Sequence, residues 1–214
     1  MPPPGACPPW EYKDVPNHEN ILQIRTRQLM KAIFGADPAA LVRLIKETRK
    51  VHAGYFAGLT PQGFEYYAGN YRGSNFPCLL THEVGIASDP RVGHLSGLVS
   101  RSMYEFAAEV EDTIAEIDFL YRVSSSVMSD AEKLVRCSQL LAALFVYFLE
   151  IHPYLNGNGH MGRLIVIAGF RRQGFYAARW PVHPRPADPP YSRLIAQYRS
   201  GNRRNFEDFL LSCL

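Results

Sequence analysis

The chain has 214 residues, of which 47% are hydrophobic and 20% charged, enough for one self-supporting core with a tail beside it. Four cysteines (Cys7, Cys78, Cys137, Cys213) lie far apart with no CxxC pair, which excludes a zinc ribbon and argues for reduced thiols over a secreted disulfide scaffold. The net charge of +3 is too weak to imply nucleic acid as a partner, yet 18 of the 23 basic residues are arginine, whose planar fork suits carboxylates and phosphates.

Residues 1–10 hold five prolines and read as an unfolded or loosely docked tail, extending to about residue 19. This start has neither a positive region nor an apolar stretch, so no signal peptide is expected. From Asn20 a helical period begins, with Ile21, Ile24, Leu29 and Ile33 on one face and Gly35 at its end. Asp37 and Pro38 open a second helix as N-cap and first-turn proline, with Leu41, Leu44, Ile45 and Thr48 on one side. Residues 53–77 read as loop with an aromatic cluster (Phe64, Tyr66, Tyr67, Tyr71) that suits core packing. Short β-type runs around Asp89 and Pro90 predict a hairpin within residues 79–95. A helix from about Ser100 to Arg122 follows, with a solvated acidic face (Glu105, Glu109, Asp112, Glu116) opposite Phe106, Val110, Ile114 and Ile117.

Ser129 and Glu132 form a capping box that starts the next helix. Its apolar stripe, Leu134, Leu141, Phe145 and Phe148, extends by one turn onto His152. Leu140 to Leu149 is its longest apolar run, half of what a bilayer requires, so no membrane partner is expected and the cytoplasm is the expected location. Another helix runs from about His160 to Gln173. Residues 176–214 form an arginine- and proline-rich extension with helices from Tyr191 and near Phe206. Its prolines and lack of a recognition motif argue against a nucleic-acid surface. Without βαβ alternation or regular strand spacing, the predicted fold class is all-α.

The stretch that carries chemistry is His152-Pro153-Tyr154-Leu155-Asn156-Gly157-Asn158-Gly159-His160-Met161-Gly162-Arg163. It places a titratable base at the end of one helix and a small-residue turn before the N-terminus of the next. Backbone N–H groups there, reinforced by the helix dipole, suit an anion. His160 and Arg163 share a face of the first turn, where positive side chains oppose the dipole unless an anion lies between them.

This segment resembles the signature of the Fic (Fic/Doc) family, HPFx[D/E]GN[G/K]RxxR between two helices. His52 followed by Tyr67-Ala68-Gly69-Asn70-Tyr71-Arg72 is similar to the family's upstream W-A-G-x-Y-R element. The likeness covers roughly residues 20–175 and implies a Fic-type helical bundle with a short β-hairpin flap over a bound target strand. It also implies a protein nucleotidyltransferase that moves AMP from ATP, with Mg²⁺, to a Ser, Thr or Tyr hydroxyl of a target protein. In that reading His152 is the general base, Gly157, Asn158 and Gly159 hold the phosphates, and Arg163 contacts the terminal phosphate.

Two positions depart from the pattern. Asn156 stands where the family has an acidic metal ligand, which lowers the expected affinity for Mg²⁺. His160 stands where it has an arginine, so one phosphate clamp is lost or becomes pH-dependent. These departures open donors other than ATP, and an alternative in which the domain binds nucleotide or protein without chemistry. The family's inhibitory [S/T]xxxE[G/N] helix is also missing, because the single matching glutamate, Glu19 before Asn20, follows Val15 at the required spacing. Either a separate antitoxin-like protein supplies that glutamate or no brake is needed. His52, His82, His94 and His183 are expected in structural or surface roles.

Overall fold

The computed structural model describes residues 7–86 and 89–214. Among these, eight α-helices follow in order: α1 (His18–Gly35), α2 (Pro38–Lys46), α3 (Arg49–Phe56), α4 (Ser96–Arg122), α5 (Asp130–Ile151), α6 (Asn158–Arg172), α7 (Tyr191–Arg199) and α8 (Arg204–Ser212). No strand is present among the described residues. The segment expected as a hairpin carries a single antiparallel bridge between Ile86 and Asp89, and residues 87–88 lie outside the description. The all-α expectation holds at that level.

Local signals account for most boundaries. The Asp37 carboxylate accepts from Ala40 N–H at 2.7 Å, and Ser129 and Glu132 close both halves of their capping box. One helix departs from expectation. The period through Thr48 breaks at Glu47, and α3 forms a separate helix where residues 53–77 were expected to be loop from their first residue. Thr48 turns inward instead, its hydroxyl 2.7 Å from that of Tyr154.

The centre of the fold is α6, buried along every residue from His160 to Phe170. A helix buried on all sides must be surrounded, and α5, α2 and α1 pack on it. Two glycines set the α5–α6 spacing. A Cβ on Gly169 would lie 2.3 Å from Leu141 Cδ2, and one on Gly162 would lie 2.9 Å from Phe145 Cε2. By length and composition α5 alone among the described helices could cross a membrane, but its apolar side is packed against α4, α6 and α8.

The N-terminal segment from Cys7 and the C-terminal extension both pack on this core. From Cys7 onward the proline-rich start is docked. Trp10 is buried against His52, Phe56 and Tyr67, and its indole N–H donates to Leu59 O at 2.7 Å. Cys7 is disulfide-bonded to Cys78 across a sequence separation of 71 residues, so the reduced state expected for all four thiols holds only for the buried Cys137 and Cys213. A loop of that length lends about 4 kcal/mol to the folded state. Residues 1–6 lie outside the description. The C-terminal extension is equally built in, with Trp180, Val182, Phe206 and Leu210 fully buried against the same cluster.

A buried guanidinium fastens the end of α5. Arg72 is fully buried, and its Nε donates to His152 O at 2.8 Å while Nη2 donates to Ile151 O at 3.1 Å and His94 O at 2.9 Å. Its Nη1 donates to His82 O at 3.0 Å. Carbonyls that a helix C-terminus leaves unpaired thus meet a cation, and the 82–94 loop is tied to the same group. Replacing Arg72 with Met should destabilise the protein by at least about 3 kcal/mol in urea denaturation. Arg101→Met, which removes an exposed pair with Glu105, should cost less than about 1 kcal/mol.

Candidate functional site

A cavity of about 520 Å³ opens where the end of α5 meets the start of α6. His152, Asn156, Gly157, Asn158, Gly159, His160 and Arg163 all border it, so every residue singled out from the motif lies at one site. Glu11, Tyr12 and Lys13 from the N-terminal segment and His183 and Arg185 from the loop after Trp180 complete the wall. These five carry no sequence signal, because their place depends on how the two chain ends dock.

His152 ends α5 in the left-handed conformation at φ 52°, a C-terminal geometry that L-residues adopt rarely. Its carbonyl is held by Arg72 and its N–H by Phe148 O. Burial, joined by the positive charge of Arg72, lowers its imidazole pKa to about 4. The ring is therefore neutral at pH 7 and keeps one nitrogen unprotonated, although burial and Arg72 disfavour its full protonation.

The turn that follows is rigid for identifiable reasons. The Asn158 side chain closes it from within, accepting from Tyr154 N–H at 2.9 Å and donating to Tyr154 O at 2.8 Å. Gly157 sits at φ 82°, where a Cβ would lie 2.4 Å from Phe56 Cε2 and 2.9 Å from His52 Nε2. His52 braces this turn. Gly69 N–H donates to its Nδ1 at 2.9 Å, so the hydrogen is on Nε2, which donates to Asn156 O at 2.9 Å. Its ring stacks on Tyr154 at 3.7 Å. The structural role expected for His52 is thus specific: it joins the upstream Tyr-Ala-Gly element to the phosphate-type turn.

Among the described residues, the N–H groups of Asn158 and Gly159 have no protein acceptor. They point from the N-terminus of α6, beside Lys13, Arg163 and Arg185, an arrangement that suits an anion. Arg163 is only partly free to bind a ligand. Its Nε and Nη2 both donate to Val182 O, at 2.9 and 2.7 Å, and Nη1 reaches the Tyr191 hydroxyl at 3.4 Å. His160 is buried, and burial followed by the charge of Arg163 holds its imidazole well below the usual range.

Asn156 does not fit the metal-ligand role assigned to that position. Its Nδ2 donates to Trp10 O at 2.8 Å and lies 3.4 Å from Glu11 Oε2, while its Oδ1 already accepts from Gly157 N–H at 2.7 Å. Mg²⁺ needs hard, mostly anionic oxygens, and no group of three His, Cys, Asp or Glu side chains suited to a metal occurs among the described residues. The Asn156 amide holds the N-terminal segment onto the turn. Among the described residues, Glu11 is the only carboxylate bordering the cavity.

Comparison with known proteins supplies no relative: no family model matches the chain, and neither the curated proteins nor the solved structures contain a match.

The buried histidines give the fold a defined acid sensitivity. His52 is fully buried, and burial lowers its pKa to about 4 against 6.5 when exposed. Between those values the unfolded chain binds the proton and the folded chain does not. Its contribution is complete above pH 6.5 and is lost as pH falls towards 4, by about 3 kcal/mol. Denaturation midpoints measured from pH 7 to 4 should therefore fall steadily, and His52→Gln should flatten that slope.

Proposed function

We propose that this chain is a Fic-type transferase that moves AMP from ATP, or a related nucleotide-derived group, to a hydroxyl of a target protein. The observation that carries the reading is the joint placement of a neutral His152 and the free N–H groups at the start of α6 on one cavity. The donor's phosphates lie against Asn158 N–H and Gly159 N–H, with the buried Arg163 guanidinium in the wall behind them. The hydroxyl oxygen of a Ser, Thr or Tyr attacks the α-phosphorus, the bond to the bridging oxygen breaks, and pyrophosphate leaves. The hydroxyl proton passes to His152. Positioning and electrostatic stabilisation by fixed donors supply most of the rate in phosphoryl-type transfer. No step is assigned to Mg²⁺, since Asn156 is not presented as a ligand.

A second reading has its own support. Arg163 is occupied by Val182 O, and Asn156 by Trp10 and Gly157. A domain with both groups engaged suits a nucleotide- or protein-binding module without chemistry.

Incubation of the pure protein with labelled ATP, GTP, CTP, UTP or CDP-choline and a cell lysate separates the two. Transferase activity should label a protein hydroxyl, and His152→Ala should lower the rate by at least about 100-fold. Since His152 stays neutral down to about pH 4, labelling should persist at pH 5.5 and show no acid limb near 6.5. Labelling that appears only after Asn156→Asp and His160→Arg are introduced, with nucleotide bound by the wild type in calorimetry, would instead establish the binding module.

A further inference from the structure

Three ionisable side chains unused in the transfer form a hydrogen-bonded chain from solvent to the cavity wall. Glu19, half exposed in the first turn of α1, lies 2.9 Å from His183 Nε2. That hydrogen bond is the main reason its carboxyl is held below the usual range. His183 Nδ1 lies 3.3 Å from His160 Nε2, with the two rings stacked at 5.5 Å. His160 is 6% exposed and borders the cavity, and its Nδ1 has no hydrogen-bond partner among the described residues.

The ionised carboxylate dictates the order of hydrogens. Glu19 can only accept, so His183 carries its hydrogen on Nε2. Where His183 Nδ1 carries no hydrogen it offers a lone pair, to which His160 donates from Nε2. This leaves a lone pair on His160 Nδ1, the wrong polarity for an anion. Burial opposes a charge on His160 itself, and so do Arg163 on its own helix, His183, His52 on α3 and Lys13 on the N-terminal segment, which also carries Glu11 on the cavity wall. The rings of Tyr12 and Tyr55 pack against it. Arg185 follows His183 along the loop, and His18 adds to the surroundings of Glu19.

We propose that Glu19, His183 and His160 form a proton-linked anion site, at which a tetrahedral dianion of the phosphate class binds together with one proton taken from solvent. The added proton sits on His183. Its Nε2–H stays on Glu19, and its new Nδ1–H donates to His160 Nε2. The single hydrogen of His160 then sits on Nδ1, where it donates to the anion. One proton is gained, the new charge rests beside the Glu19 carboxylate, and the buried ring reverses its polarity without becoming charged. The expectation that the natural anion is a nucleotide phosphate rests on the transferase reading; the recognition chemistry is that of any such dianion.

Sulfate, which does not titrate near neutral pH, is the probe. The full-length chain labelled with ¹⁵N-histidine is titrated with sulfate at about pH 7.5, and its imidazole nitrogens are followed by long-range ¹H–¹⁵N spectra. His160 should move from the Nε2–H to the Nδ1–H form, and His183 should become doubly protonated. Calorimetry in two buffers of different ionisation enthalpy should give an uptake near one proton per sulfate. Glu19→Gln, at a half-exposed position, should abolish the uptake and weaken sulfate by about tenfold or more. Sulfate binding with no change of tautomer, binding with no proton uptake, or no binding at all each overturns the proposal. Proton uptake without any His152-dependent labelling would overturn the transferase reading alone.

Discussion

The Arg72 guanidinium, buried and hydrogen-bonded to main-chain carbonyls, is the contact on which the rest of the site depends. A guanidinium cannot shed its charge, so its donors must all find acceptors in a fixed planar arrangement. Here they find main-chain carbonyls of His82, His94, Ile151 and His152. Its nearest carboxylate, Glu83 at 3.7 Å, is engaged by the N–H and hydroxyl of Ser96 at the start of α4. One buried cation thereby ends α5, arranges the 82–94 loop and links both to α4. It also holds His152 in its uncommon backbone conformation and disfavours a second charge on that ring.

The electrostatics of the cavity follow from the same economy of charge. Histidine rings at 52, 152 and 160 are all held neutral by burial. Positive potential comes instead from the α6 N-terminus and from Lys13, Arg163 and Arg185, which are brought in from three parts of the chain. On the proposed reading, the neutral imidazole keeps its lone pair for the attacking hydroxyl while the cationic cradle faces the anionic donor. The disulfide between Cys7 and Cys78 and the burial of Trp10 hold the N-terminal wall in place.

Much of the helical framework was legible residue by residue. Asp37 before Pro38, the Ser129–Glu132 box and the glycine at 174 are local signals, and local hydrogen bonding honours them. Where sequence reasoning failed, a long-range contact had overridden a local pattern. Thr48 continues the α2 stripe in sequence, yet its hydroxyl is satisfied by Tyr154, 106 residues away, and the chain restarts as α3. The prolines at the start suggest a tail, but a single tryptophan and a cysteine with a partner 71 residues on are enough to dock it.

The amino-acid sequence alone determined that the chain is helical and gathered the candidate groups of residues 152–163 at one helix–turn–helix junction, because caps, periodicity and glycine turns act over a few residues. Tertiary structure decided what those groups are free to do. It turned the Asn156 amide to Trp10, committed two donors of Arg163 to Val182 and placed His183 and Glu19 behind His160. The physical reason is that hydrogen-bond capacity is finite. A side chain's chemistry is read from its type, but its availability depends on which distant partners folding brings within reach.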